Sequence, residues 1–112
     1  MIEVSTSGTG AQITVTDDLD LATGAAADAV QRRLALLERP MITVDLCRMN
    51  FMDSTGAAWL ITLADQSRHR DGRVHLLGAS ARDLFVLEVC GAIDLFTINH
   101  RHQCADATHA TA

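Results

Sequence analysis

Although the chain has three cysteines, Cys47, Cys90 and Cys104, no two of them stand in Cys-x-x-Cys spacing. An odd number at wide spacing argues against a zinc ribbon or a thioredoxin-type motif. It predicts buried free thiols that act as small hydrophobes in a reducing compartment. Phosphate-cradling glycine loops are missing too: neither G-x-x-x-x-G-K-S/T nor G-x-G-x-x-G occurs, which removes the common nucleotide-binding classes. There is no G-x-S-x-G elbow, so Asp53, Ser54 and a distant histidine lack the turn on which a hydrolase triad is built. No apolar run approaches the roughly 20 residues a membrane helix needs. The chain also opens without a basic stretch leading into an apolar one. The expectation is a cytoplasmic protein with no membrane insertion. Basic residues are scarce, 9 against 14 acidic, for a formal net charge of -5. Nucleic acid is therefore not an expected partner, since its backbone needs clustered Lys and Arg.

The 112 residues that are present suit one domain, residues 1–112, and 48% of them are hydrophobic, enough for a sizeable core. Strand-like and helix-like patterns alternate along it. Ile2 and Val4 predict a short strand and Ser5 to Gly10 a turn; Ala11, Ile13 and Val15 then alternate with polar neighbours as a half-buried strand, pairing back as a hairpin. From about Ala22 the period becomes helical. Ala26, Val30, Leu34 and Leu37 share a face, Asp20 or Thr23 caps the start, and Pro40 stops the run. Met41 to Leu46 reads as a central strand. A second helix is expected from Ser54 to about Arg70, with Ala57, Leu60, Ile61 and Ala64 as its buried stripe and Gly72 as the left-handed residue after it. Val74, Leu76 and Leu77 make another strand. Ser80 and Asp83 form a capping-box pattern opening a third helix, whose inward side is Leu84, Leu87 and Val89 and whose end is Gly91. Ile93 to Ile98 is a last strand, and the polar segment 99–112 reads as a frayed helix or a disordered tail. The order predicts an α/β domain: a mixed central sheet of about five strands covered by three to four helices.

One stretch, FMDSTGAAWL at residues 51 to 60, places two hydroxyls where a strand gives way to a helix. The first N–H groups of a helix have no partner within it. Asp53 or Ser54 can supply an acceptor as N-cap, worth roughly 1 kcal/mol against Ala. The same junction also suits an anion, because a helix N-terminus presents N–H donors and a positive dipole end. A phosphoryl group on Ser54 would add about -1.5 to -2 charges there and change docking without unfolding the domain. Other chemistries are less well supplied. His100, His102 and Cys104 lie in the tail with no fourth ligand at motif spacing. His69 and His75 read as surface residues near a turn. Asp17, Asp18 and Asp20 lack the longer alternating array and terminal Glu of a calcium loop and read as solvated charges. No cofactor or metal is expected. Trp59, the one tryptophan in a chain without tyrosine, is either core or a half-exposed interface anchor.

The segment VDLCRMNFMDSTGAAWLITL, residues 44 to 63, resembles the signature of STAS domains, and within them that of the bacterial anti-sigma-factor antagonists. Their pattern is a strand ending in Asp-Leu, a short loop, an aromatic or apolar pair, Asp-Ser-Ser/Thr-Gly and a helix. DDLDLATG, residues 17 to 24, resembles the family's Gly-Glu-Leu/Ile-Asp stretch, and LFVLEVCGAIDLFTI, residues 84 to 98, its Leu-rich helix, Gly and short strand. The resemblance implies a binding module without catalytic activity. In such systems the unphosphorylated antagonist binds an anti-sigma factor that is also a serine kinase, which frees the sigma factor. Phosphorylation of the motif serine ends the complex and a serine phosphatase restores it. Carried over, the acceptor is Ser54, with Thr55 as substitute, and the partner-binding residues are Asp20, Thr23, Asp53, Ser54, Thr55, Gly56 and Trp59. A non-phosphorylated STAS scaffold of a transport or sensory complex is the alternative. Asp17 stands in place of the family's Gly, Ala57-Ala58 in place of Leu-Gly, and Trp59 in place of Val or Ile. These departures bear on partner identity more than on the acceptor.

Overall fold

The computed structural model describes residues 1–7, 10–20, 24–36, 41–100, 102 and 104. Five strands form one sheet in the order of the sequence: β1 (Ile2–Ser7), β2 (Gly10–Leu19), β3 (Met41–Met52), β4 (Arg73–Leu77) and β5 (Phe96–Asn99). β1 runs antiparallel to β2, and the β2–β3, β3–β4 and β4–β5 pairs are parallel. Three α-helices make the parallel crossovers: α1 (Gly24–Leu34), α2 (Ser54–His69) and α3 (Ala81–Val89). Because the strand order advances one step at a time, right-handed crossovers put all three on the same face of the sheet. The burial pattern agrees. Ile13, Val15, Val44, Val74 and Leu76 are sealed from solvent, while their strand neighbours Thr14, Thr16, Thr43, Asp45 and His75 are only half-buried. The helices thus cover the aliphatic face and leave a threonine-rich one open, the division that period-two alternation demands.

The expected α/β architecture is the one observed, but its boundaries differ in instructive ways. The turn read at Ser5 to Gly10 is narrower, because Ser5, Thr6 and Ser7 pair with Gln12, Ala11 and Gly10. β3 does not stop at Leu46; it continues to Met52, since Arg48, Met49, Phe51 and Met52 find backbone partners in Thr16 to Leu19. Two register shifts in that pairing let β3 carry extra residues, and Asp17 takes a left-handed φ of 67° at one of them. On α1 the buried stripe is Ala27, Val30 and Leu34, with Ala26 exposed. Leu37, Pro40 and Thr23 lie outside the described residues, as do residues 105–112 of the tail. On α2 the stripe is Ala57, Trp59, Leu60, Leu63, Ala64 and Ser67, and Ile61 is half-buried at its margin.

Helix ends follow local chemistry. α3 opens on a complete capping box: Ser80 Oγ accepts from the Asp83 N–H at 3.1 Å, and Asp83 Oδ2 accepts from the Ser80 N–H at 3.2 Å. α3 closes with Gly91 at φ 72°, whose N–H donates to Glu88 O at 2.9 Å while the Ala92 N–H reaches Leu87 O at 2.9 Å. α2 closes the same way, but the left-handed residue is Asp71 at φ 58° and not Gly72. Gly72 instead supplies the N–H that bonds Ser67 O at 2.7 Å. On α3 Leu87 is fully buried, Leu84 half-buried, and Val89, expected inward, is 68% exposed because it falls on the side away from the sheet. The predicted last strand divides: Ile93–Leu95 is a 3₁₀ turn and only Phe96–Asn99 pairs with β4.

The cysteines depart most from expectation. Cys47 and Cys104 form a disulfide across 57 residues, with their Cα atoms 5.4 Å apart, and Cys90 alone is free, on the surface. Spacing in sequence is silent about this pairing because the fold, not the local chain, brings the two together.

Candidate functional site

β3 ends at Met52 and α2 begins at Ser54, so Asp53 is the junction. Its backbone is extended, with φ -93° and ψ -174°, and its Oδ1 accepts from the Gly56 N–H at 2.9 Å. The Asp53 carbonyl accepts the first helical bond, from Ala57 N at 3.0 Å. Of the two cap candidates in the sequence, the structure uses Asp53. Ser54 is therefore the first helical residue, and its side chain and that of Thr55 are exposed. The Asp53 N–H donates to Leu19 O at 3.3 Å, which locks the junction to the end of β2.

Gly56 explains why this corner is so tight. A Cβ on Gly56 would run into the Leu19 carbonyl oxygen and stand 2.9 Å from Leu19 Cγ. Only a bare Cα lets the first turn of α2 lie against the end of β2, and Gly56 is buried there. The site is thus assembled at the carboxyl ends of two adjacent parallel strands, the usual location of sites in open α/β sheets.

A cleft of about 240 Å³ lies beside this corner, between α1 and α2, and Asp20, Asp28, Gln31, Thr55, Gly56 and Trp59 are among its lining residues. The fold therefore brings together Asp20, Asp53, Ser54, Thr55, Gly56 and Trp59 from two separate sequence segments. Their exposure is uneven. Asp20 and Asp53 are half-buried, whereas Trp59 is 8% exposed. Of the two alternatives for Trp59, core and half-exposed anchor, the structure has the core, and its buried indole Nε1 has no hydrogen-bond partner among the described residues. Gly56 and Trp59 shape the surface from beneath it. Thr23 lies outside the described residues. Sequence reasoning missed Phe51 and Arg82: the Phe51 ring, 38% exposed at the end of β3, has the Arg82 guanidinium 5.1 Å from its centroid. Phe51 had a signal, an aromatic just before the Asp-Ser-Thr-Gly stretch, but Arg82 comes from α3 and only the fold pairs them.

A larger cleft, about 330 Å³, sits at the other end of α2 between Leu34, Ile42, Leu63, Ser67 and His69. Its hydroxyl and imidazole do not form a nucleophile–base pair. Ser67 Oγ donates to Leu63 O at 2.8 Å inside α2, and His69 Nδ1 lies 2.8 Å from Asp65 O. Among the described residues no helix is long and apolar enough to cross a membrane.

A search of curated proteins finds no match to the chain. Solved structures share its fold. The unphosphorylated form of the anti-sigma factor antagonist SpoIIAA superimposes with a TM-score of 0.72 at 15% identity, over 99% of this chain and 96% of that one. The phosphorylated form of SpoIIAA, a Bacillus cell fate determinant, gives 0.65 at 16% identity over 100% of both chains. An anti-sigma factor antagonist from Mycobacterium paratuberculosis gives 0.69 at 18% identity, over 99% of this chain and 92% of that one. At such identities these likenesses establish the fold. The STAS domain family model matches residues 4–105, nearly the whole sequence, and the chain belongs to the STAS domain family.

Proposed function

We propose that this protein is an anti-sigma-factor antagonist whose docking is controlled at Ser54. The unphosphorylated form binds an anti-sigma factor that is also an ATP-dependent serine kinase, and the sigma factor is released. The kinase then transfers the γ-phosphoryl group of ATP to Ser54 Oγ, the hydroxyl proton is lost to solvent or to a kinase base, and ADP leaves. The phosphorylated chain dissociates, and a serine phosphatase hydrolyses the ester to restore it. The chain acts as a binding module with no catalysis of its own, in the cytoplasm, where its partners work.

One observation carries this reading: Asp53 caps α2, so the exposed Ser54 hydroxyl is not required by the helix it begins. A side chain that holds up the fold is a poor switch, because modifying it would unfold the domain along with its interface. Ser54 has no such duty. Its position also suits the charge, since the open N–H groups and dipole of the first turn favour an anion by roughly 0.3–1 kcal/mol. Asp53 and Asp20 work the other way at the interface. A partner that accepts two carboxylates on this corner must accept about two more negative charges after modification. Like-charge crowding and desolvation of a dianion are worth several kcal/mol at an interface, enough to weaken docking a hundredfold or more. Fold likeness to a relative that has a phosphorylated form supports the same conclusion. Phe51, three residues before Ser54 and 38% exposed, offers an aromatic surface at the end of β3, with the Arg82 guanidinium over its ring.

The test uses the full chain with kinase-type anti-sigma factors, with and without ATP, and reads both complex formation and the modified residue by mass spectrometry. The expected result is one phosphate on Ser54 with loss of the complex, a Ser54→Ala form that stays bound, and a Ser54→Asp form that binds weakly. Binding that ignores both ATP and Ser54→Ala would assign the chain to the scaffold class instead.

A further inference from the structure

The disulfide partners have a third neighbour. The candidate ligand atoms of Cys47, His102 and Cys104 lie within 4.8 Å of one another, and all three residues are half-buried. Read in sequence, His100, His102 and Cys104 lack enough ligands at motif spacing. The fold drops His100, which is exposed, and supplies Cys47 from the middle of β3. We propose that in its reduced state this cluster binds one thiophilic d¹⁰ cation, zinc or copper(I), and that the disulfide and the metal are alternative ways of fastening the C-terminal segment to the sheet.

Three features support a site in place of a chance meeting of side chains. The donor set, two thiolates and one imidazole, is soft; it selects zinc and copper(I) and discriminates against magnesium and calcium. The space has been cleared by Gly78, which follows β4 with φ 70°. A Cβ on Gly78 would collide with Cys47 Sγ and stand 2.6 Å from Cys104 Sγ, so the backbone here is shaped around both sulfurs. Hydrogen bonds hold the supports as well: the Cys47 N–H donates to Asp45 Oδ1 at 2.9 Å, and the His102 N–H reaches Asn99 O, at the end of β5, at 3.5 Å. Two thiolates on a tetrahedral zinc, each about 2.3 Å from it, stand about 3.8 Å apart. A Cα separation of 5.4 Å accommodates that with side-chain rotation alone. The fourth position is left to water.

The two states interconvert by balanced chemistry. A dithiol reductant attacks one sulfur of the pair and forms a mixed disulfide, and its second thiol then releases the other. The protein's S–S bond breaks, one forms in the reductant, and two protons pass to Cys47 and Cys104. Zinc binding expels those two protons as thiolates replace thiols, with His102 contributing a neutral nitrogen. An oxidised pair has no thiolate to offer, so oxidation and metal loading exclude each other.

The experiment titrates cobalt(II) and zinc into the full-length chain, first oxidised and then reduced with a phosphine and desalted without oxygen. Thiolate-to-cobalt charge-transfer absorption reads the ligands, and a chromophoric chelator reads zinc affinity. The oxidised chain should present one free thiol, Cys90, and bind neither metal. The reduced chain should present three thiols and bind one equivalent. The oxidised chain is its own control, so no variant has to fold for the proposal to be tested. Cys90→Ser should leave binding intact, and His102→Ala should weaken it by roughly tenfold or more, the least expected for losing a direct ligand. Reduced protein that gives no thiolate-to-cobalt absorption, or that binds equally well after His102→Ala, would overturn the proposal.

Discussion

Asp53→Ala and Ser54→Ala should separate stability from switching, although the residues are neighbours. Asp53 Oδ1 accepts from the Gly56 N–H at 2.9 Å, and that N–H has no helical alternative. Water cannot readily replace the carboxylate, because Gly56 is buried against Leu19. The loss therefore belongs in the upper part of the N-cap range, about 1–2 kcal/mol, including the orphaned donor. With a urea slope of about 1.5–2 kcal/mol/M, expected for a small domain, the unfolding midpoint should fall by roughly 0.5–1.3 M. Asp53→Asn or Asp53→Ser should recover most of this, since either side chain can accept the same bond. Ser54→Ala should change stability by no more than about 0.5 kcal/mol, because its side chain is exposed and Ala is a good helix former. Equilibrium urea unfolding of the four variants decides the matter. If Ser54→Ala destabilises as much as Asp53→Ala, then Ser54 carries structural duty and the reasoning that frees it for modification fails.

Gly56→Ala should destabilise by about 1–3 kcal/mol despite the better helix propensity of Ala, because the added Cβ meets the Leu19 backbone; thermal unfolding measures it. Leu60 is fully buried at the centre of α2, and Leu60→Ala should remove about 2–5 kcal/mol, read by the same urea titration. Asp71→Gly should stabilise by up to about 1 kcal/mol, since Gly takes the left-handed φ of 58° without a Cβ penalty. Reducing Cys47–Cys104 in the absence of metal should lower stability by up to about 4 kcal/mol, the loop-closure value for a separation of 57 residues, seen as a lower urea midpoint.

Where information was local, it was legible. Among the described residues, period-two and helical patterns located the five strands and three α-helices, though not the 3₁₀ turn at Ile93–Leu95, and Ser80 with Asp83 announced a capping box that forms as written. The corner at Asp53 and Ser54 was legible as a strand-to-helix junction for the same reason, since hydroxyls after a strand and before a helix have few structural meanings. What stayed hidden was decided by partners distant in sequence. β3 outruns Leu46 because Thr16 to Leu19 offer it hydrogen bonds, and no feature of Cys47 to Asn50 alone says so. Asp71 displaces Gly72 from the left-handed position because the register of the last turn of α2 fixes which residue closes it. Cys47 finds Cys104 through β4 and Gly78, and Arg82 finds Phe51 through α3.

On the proposed reading, this corner lets a switch be sharp without being disruptive. β2 and β3 end side by side, Gly56 presses α2 onto Leu19, and Asp53 bonds to both the helix and the neighbouring strand. These contacts all point inward. The side chains of Ser54 and Thr55 point outward from the same turn. A charge added at Ser54 therefore acts on whatever docks outside, while the bonds that fix the corner remain behind it. The segment that responds need not move at all: a partner senses about two new negative charges over carboxylates already present, and the equilibrium shifts by its differential affinity for the two forms. Amide hydrogen exchange distinguishes this from a conformational mechanism. Protection in α2 should be unchanged on phosphorylation of Ser54, apart from its first turn, and a general loss of protection across α2 would mean that the modification works by unfolding the helix instead.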